Sequence, residues 1–266
     1  MRRESKKQHS AVRPADPFIR LEPLKVSTGR AWVVGALLTF LGAVVLQQIG
    51  IWILAALLGV TSQVSSASHA NTGAWWLTVG GVLGLWPGFA LGVFFVVKRT
   101  TNNPLRQAIG LSFRPIDLIG VPLGVAFQFG LTGLTNLLFH PRDQGSTERW
   151  LNHLHGGSLV LIAVSLCLLV PVLEEALFRG LLGRGLFSLF PPGSVAMPIV
   201  ATLVMLFDGL IFGAAHGDAT AFLALALLGA LLQFEHLQTG RLGLSIVTHA
   251  TFNIVAVVPV VLWGSS

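Results

Sequence analysis

The stretch SLVLIAVSLCLLVPVLEEALFRGLLGRGLF occupies positions 158–187 and decides the fold class. It is apolar over more than the roughly 20 residues that a helix needs to cross a bilayer, yet it contains Glu174, Glu175 and Arg179. A charged side chain at bilayer depth costs about 2.5–3.5 kcal/mol on insertion scales, so two adjacent glutamates indicate a partner or a wet cavity. The stretch therefore predicts a membrane-spanning helix that carries part of a functional site.

Six further apolar stretches surround this one, and together they predict an all-α, polytopic transmembrane bundle of about seven spans. The chain is 53% hydrophobic and only 11% charged, which is too little charge to cover the surface of a water-soluble domain. Pro87 and Pro171 fall inside two of the spans and predict kinks there. The predicted spans are 31–60, 74–97, 116–139, 158–187, 195–215, 219–237 and 242–263.

The residues before the first span form a basic tail, predicted as 1–30, and residues 31–266 are predicted as the transmembrane domain. Such a tail is typical of a topology signal that contacts anionic lipid, so no nucleic-acid partner is expected. Its basic residues are Arg2, Arg3, Lys6, Lys7, Arg13, Arg20, Lys25 and Arg30, against Glu4, Asp16 and Glu22.

The positive-inside rule places this tail in the cytoplasm. Because successive spans cross in opposite directions, the basic residues at the ends of the second, fourth and sixth spans lie on the same side as the tail. The loops on the opposite side are 61–73 and 140–157. The segment 99–115 is predicted to lie on the surface at the inner headgroups. These patterns predict a multi-pass protein of the cell membrane. The basic exits are Lys98 and Arg99, Arg179 and Arg184, and Arg241.

Helical spacing separates the two glutamates of the fourth span. Glu175 and Arg179 are four residues apart on one face, in the favourable acid-first order, and are predicted to form an ion pair. Glu174 is rotated by about 100° and cannot share that partner equally. Glu174 is therefore predicted to point into a cavity.

Two more pairs show the same four-residue spacing. His249 and Asn253 project together from the seventh span, and Phe212 and His216 from the fifth. A carboxylate can take a proton from water, and imidazole and amide groups can donate hydrogen bonds to an oxyanion. Glu174, His216, His249 and Asn253 together therefore supply what amide hydrolysis requires.

A metal site is an alternative interpretation of part of this set. Glu174, His216 and His249 could hold a divalent metal such as zinc, with one position left for water. The sequence contains no HExxH motif, so this alternative has no local signature.

The runs Glu174-Glu175-Ala-Leu-Phe-Arg179, Phe212-Gly-Ala-Ala-His216 and His249-Ala-Thr-Phe-Asn253 resemble the EExxxR, FxxxH and HxxxN motifs of the CPBP family. This family, also called ABI, comprises CAAX prenyl endoproteases and bacteriocin-processing or immunity proteins. The resemblance covers about 109–259. Its three motifs stand in order on three apolar helices.

The resemblance implies an intramembrane endopeptidase that acts on a peptide or protein substrate, one that could carry a lipid, near the cytoplasmic surface. It implies that Glu174 and His216 activate water and that His249 and Asn253 stabilise the oxyanion, with Glu175, Arg179 and Phe212 in support. Two other functions stay open. One is a non-proteolytic scaffold or bacteriocin-immunity-type protein that uses the same cluster for partner binding, and the other is a proton-coupled transporter.

Simple alternation of spans carries His216 toward the outer end of the fifth span, away from Glu174. A long or bent fourth helix, or a fifth helix that starts later than Val195, is expected to bring them to one depth.

Four residues beside these motifs carry weaker expectations. Asp208 is left outside the site because its spacing from His216 turns it about 80° away. Asp218 is predicted to cap the sixth helix. Glu235 and His236 are predicted to lie at the membrane interface, at the inner end of that helix.

Overall fold

The computed structural model describes residues 19–64, 75–139, 151, 154, 156–190 and 196–263. Seven helices in these residues are long and apolar enough to cross a membrane, and the described part of the chain contains no strand. The predicted all-α bundle of seven spans is therefore confirmed. The helices are α1 (Val26–Leu57), α2 (Trp75–Thr100), α3 (Pro115–Phe139), α4 (Gly156–Phe187), α5 (Met197–Ala215), α6 (Phe222–Thr239) and α7 (Gly243–Trp263).

Most of the predicted tail and most of the two predicted outer loops lie outside the described residues. Helix α1 begins at Val26, inside the stretch predicted as tail. The segment between α2 and α3 contains a short helix, Leu105–Ala108, and Arg99, Arg106 and Arg114 are exposed there. This agrees with the predicted surface segment.

Helix α4 is the long element of the bundle. Its 32 residues span about 48 Å at 1.5 Å per residue, against about 30 Å for the hydrocarbon core. It departs from α-helical geometry in two π-helical segments, Ser165–Leu169 and Ala176–Gly183. These flank Val170–Glu175, which contains Pro171 and both glutamates. Single π-helical turns are common at functional sites.

Helices α5 and α6 pack closely through small residues. A Cβ atom added at Gly209 would collide with the backbone of Ala226 and Ala230, and one added at Gly213 would collide with Phe222 and Ala226. The two glycines therefore allow the backbones of α5 and α6 to approach closely, and this leaves no room for larger side chains at these positions.

The interior of the bundle lies around α4 and α7. Helix α4 contacts α1, α2, α5, α6 and α7, while α7 also packs against α3 and α6. The main buried cluster includes Trp32, Phe178, Phe212, Leu232 and Ile246. The outside is covered by exposed aliphatic and aromatic side chains from every span, as expected for a surface in contact with lipid.

Candidate active site

Both glutamates of α4 lie inside the bundle, but in different surroundings. Glu175 is fully buried, and its Oε1 accepts a hydrogen bond from Arg179 Nη1 at 3.0 Å. The predicted ion pair is therefore confirmed. The Glu174 side chain keeps 15% of its exposure, so it is the carboxylate that water can reach.

Arg179 is fully buried, and its guanidinium contacts α5 and α6 as well as Glu175. Asp208 of α5 lies 3.5 Å from its Nε, and its Nη2 donates to the carbonyl of Gly229 in α6 at 2.9 Å. The face of the guanidinium lies 4.4 Å above the ring centroid of Phe212. A buried cation is tolerated when it is paired and hydrogen-bonded in this way.

His249 lies between the two carboxylates. Its Nδ1 is 3.0 Å from Glu175 Oε1, and its Nε2 is 3.7 Å from Glu174 Oε2. An ionised carboxylate only accepts hydrogen bonds, so the Nδ1–H of the imidazole donates to Glu175. This bond fixes the ring and turns Nε2 toward Glu174.

Asn253 projects from α7 one turn beyond His249, as the spacing predicts. Its Nδ2 donates to the backbone carbonyl of Leu166 in α4 at 2.8 Å. The amide therefore bridges α7 and α4 on the same side as the glutamates. Among the residues that the structure describes, the other N–H of the amide and its oxygen have no further hydrogen-bond partner.

His216 follows the last residue of α5 and is exposed. Its Nδ1 is 2.8 Å from the carbonyl of Phe212, and its ring packs on the Phe212 ring at 4.7 Å. Among the described residues no hydrogen bond or ion pair joins His216 to Glu174. The Phe212 ring also contacts His249, at 5.7 Å, so both imidazoles lie against one phenyl group.

The depth of His216 follows from the unequal lengths of the helices. Helix α4 is long, and α5 starts at Met197 and ends at Ala215. The last turn of α5 contacts α4 at Phe178, whose ring lies 5.1 Å from that of Phe212. The Phe212 ring contacts His249, and His216 follows Phe212 by four residues, about one helical turn of 5.4 Å. The expected long fourth helix and later start of the fifth are both observed.

The residues proposed as metal ligands do not form a metal-binding group. In the described ranges no three His, Cys, Asp or Glu side chains lie close enough together to hold an ion. Glu174 and His249 are neighbours, but His216 is held by Phe212 rather than by them. The described residues therefore do not assemble the three-ligand group that the zinc alternative requires.

Three residues beside the motifs lie inside the bundle. Asp208 is fully buried and pairs with Arg179, although its spacing from His216 turns it away from that residue. Glu235 and His236 are 3% and 0% exposed, so both side chains are buried among the helices near the end of α6. Glu235 accepts a hydrogen bond from Thr248 of α7 at 2.9 Å.

Asp218 caps the turn before α6 rather than the helix itself. Its Oδ1 accepts hydrogen bonds from the N–H groups of Thr220 and Ala221. Helix α6 begins at Phe222, so the predicted helix start was three residues early.

The comparisons with known proteins agree with the motifs. Residues 156–255 match the family model described as type II CAAX prenyl endopeptidase Rce1-like, which is the CPBP family. This confirms the resemblance over α4 to α7, a shorter region than the predicted 109–259. The comparisons with curated proteins and with solved structures gave no match. That family is a protease family, and the chain is a multi-pass membrane protein whose residues 156–255 are similar to it.

Proposed function

We propose that this chain is an intramembrane endopeptidase that hydrolyses a peptide bond near the cytoplasmic surface of the cell membrane. The observation that carries this proposal is the position of Glu174. Its carboxylate retains 15% exposure at the edge of a buried ion-pair network, 3.7 Å from the imidazole of His249.

Glu174 acts as the general base. A water molecule beside its carboxylate gives up a proton to Glu174 while the water oxygen forms a bond to the carbonyl carbon of the peptide. The carbonyl π electrons move onto oxygen, which becomes an oxyanion. Collapse of this intermediate breaks the C–N bond, and the proton held by Glu174 passes to the departing amine.

His249 and Asn253 stabilise the oxyanion. They share one face of α7, and the Asn253 amide has a second N–H besides the one that bonds to Leu166. Donors of this kind are effective because they are fixed before the reaction begins. His216 is proposed as a second group that orients the water, since its exposed ring lies on Phe212 beside His249.

Glu175, Arg179 and Phe212 hold the reacting groups in place rather than touch the substrate. Glu175 anchors His249, and Arg179 anchors Glu175. Both are fully buried, as is the Phe212 ring. Because water is excluded from this side of the site, each electrostatic contact is stronger than it would be in solvent.

The substrate class is proposed from the family. The matching model describes a CAAX prenyl endopeptidase, and a site enclosed by apolar helices suits a peptide whose cysteine carries an isoprenoid. The alternative of a scaffold or immunity-type protein would use the same cluster to bind a partner without cleavage.

The test is cleavage of a farnesylated CAAX peptide by the purified protein in proteoliposomes. Glu174→Gln should lower turnover by at least about a hundredfold, the usual contribution of a general base. It should leave the unfolding midpoint almost unchanged because the Glu174 side chain keeps 15% of its exposure and its carboxylate lies 3.7 Å from His249 Nε2, beyond hydrogen-bond distance.

Glu175→Gln is the matched control on the neighbouring residue. It removes the charge that pairs with buried Arg179, so it should lower the free energy of unfolding by about 3 kcal/mol or more. If both variants lose function only in proportion to their stability, the cluster is a scaffold and the peptidase proposal fails.

A further inference from the structure

The carbonyl of Leu166 lacks the donor that a helix normally provides. In the first π-helical segment of α4, the N–H of Val170 bonds to the carbonyl of Ser165, five residues back. The next amide in that pattern would be residue 171, which would reach Leu166. Residue 171 is proline, which has no N–H.

Asn253 supplies the missing donor. Its Nδ2 lies 2.8 Å from the Leu166 oxygen, across the contact between α7 and α4. An unpaired carbonyl in an apolar environment is costly, so it attracts any donor within reach. The bond therefore fixes the side chain of Asn253 relative to the glutamates three and four residues after Pro171.

We propose that Pro171 is a positioning residue for Asn253, acting through the Leu166 carbonyl that it leaves free. The inference rests on the proposed function only in assigning Asn253 to the oxyanion. The proline has two effects at once. It removes a helical donor at residue 171, and it places the freed acceptor where the amide of Asn253 can occupy it.

The proposal predicts an energetic coupling between residues 171 and 253. Pro171→Ala and Pro171→Ser both restore an N–H that can bond to Leu166 within α4. The Leu166 carbonyl then accepts from a backbone N–H of α4, and its hydrogen bond with Asn253 is weakened. An effect that the two variants share belongs to the restored N–H and not to the new side chain.

The coupling is measured by a double-mutant cycle of unfolding midpoints for the full chain in detergent. Asn253→Ala should lower the midpoint in the unmodified protein and should lower it by less than half as much when residue 171 is alanine or serine. Pro87→Ala, the same change on an exposed face of α2, should leave the effect of Asn253→Ala unchanged. Additive effects at 171 and 253 would overturn the proposal.

Cleavage of the farnesylated CAAX peptide gives the second measurement. Pro171→Ala should lower kcat about tenfold, because a small misplacement of a reacting group has effects of this size. KM and the unfolding midpoint should not worsen, since an interior proline is itself unfavourable in a helix. A merely structural proline would instead lower the midpoint.

The two proposals can fail separately. If the double-mutant cycle shows coupling but Pro171→Ala leaves kcat unchanged, the positioning role of Pro171 is wrong. If the unmodified protein cleaves nothing, the peptidase proposal fails, and the cycle of unfolding midpoints alone decides whether Pro171 positions Asn253.

Discussion

Glu175 holds the imidazole of His249: its Oε1 lies 3.0 Å from His249 Nδ1, and both side chains are almost fully buried. The same oxygen accepts the hydrogen bond from Arg179 at 3.0 Å. The orientation of a group on α7 therefore depends on an ion pair within α4. Because Asp208 lies on the other side of Arg179, the dependence extends to α5.

Asp208→Asn tests the outer end of this network. It keeps the shape of the side chain but removes its charge. We expect the free energy of unfolding to fall by about 2 kcal/mol, the size of a hydrogen bond to a charged group. Peptide turnover should fall as well, because Arg179 and Glu175 lose part of their restraint.

Glu22→Gln is the control for Asp208→Asn, since Glu22 is exposed on the segment before α1. It should change neither unfolding nor turnover measurably. Equal behaviour of the two variants would show that Asp208 does not support the site.

Phe212→Leu tests the ring that both imidazoles share. Leucine fills similar space but removes the aromatic contacts with the two histidines and the cation–π contact with Arg179. We expect turnover to fall about tenfold from misplaced groups and the free energy of unfolding to fall by about 1–2 kcal/mol.

The matched variant is Phe207→Leu on the same helix, where the side chain is 52% exposed. Turnover and unfolding should both be unchanged there. Loss of activity in this variant too would indicate a general disturbance of α5 and not a role of the Phe212 ring.

His216→Ala tests the proposed second water-orienting group. The ring is exposed, so the unfolding midpoint should change little, whereas turnover should fall by about a hundredfold if the imidazole takes part in proton transfer. His216→Gln, which keeps a polar side chain, should be nearly as inactive. If turnover is unchanged in both variants, the proposed role of His216 is wrong, and water activation depends on Glu174 with His249.

Periodicity and hydropathy predicted the seven spans and the Glu175–Arg179 pair because both depend on residues near each other in sequence. The bond between His249 and Glu175 could not be predicted in this way, since it joins residues 74 positions apart. Only the resemblance to the CPBP family assigns His249 and Glu175 to one site without knowledge of how the helices pack.

Asp208 shows where a local signal was available. It lies four residues before Phe212 and so shares its helix face, whereas its spacing of eight residues from His216 turns it about 80° from that side chain. Glu235 and His236 had no such signal. Their burial depends on α6 packing against α4 and α7, and hydropathy cannot tell a helix end inside a bundle from one at the headgroups.

The most direct test of a glutamate-activated water is one turnover in H₂¹⁸O with enzyme in excess over the farnesylated CAAX peptide. The new carboxyl group of the product should contain one ¹⁸O atom, and Glu174 should contain none. If the product oxygen is ¹⁶O and ¹⁸O appears in the Glu174 carboxylate, Glu174 attacks the peptide itself, and the proposed role of water is wrong.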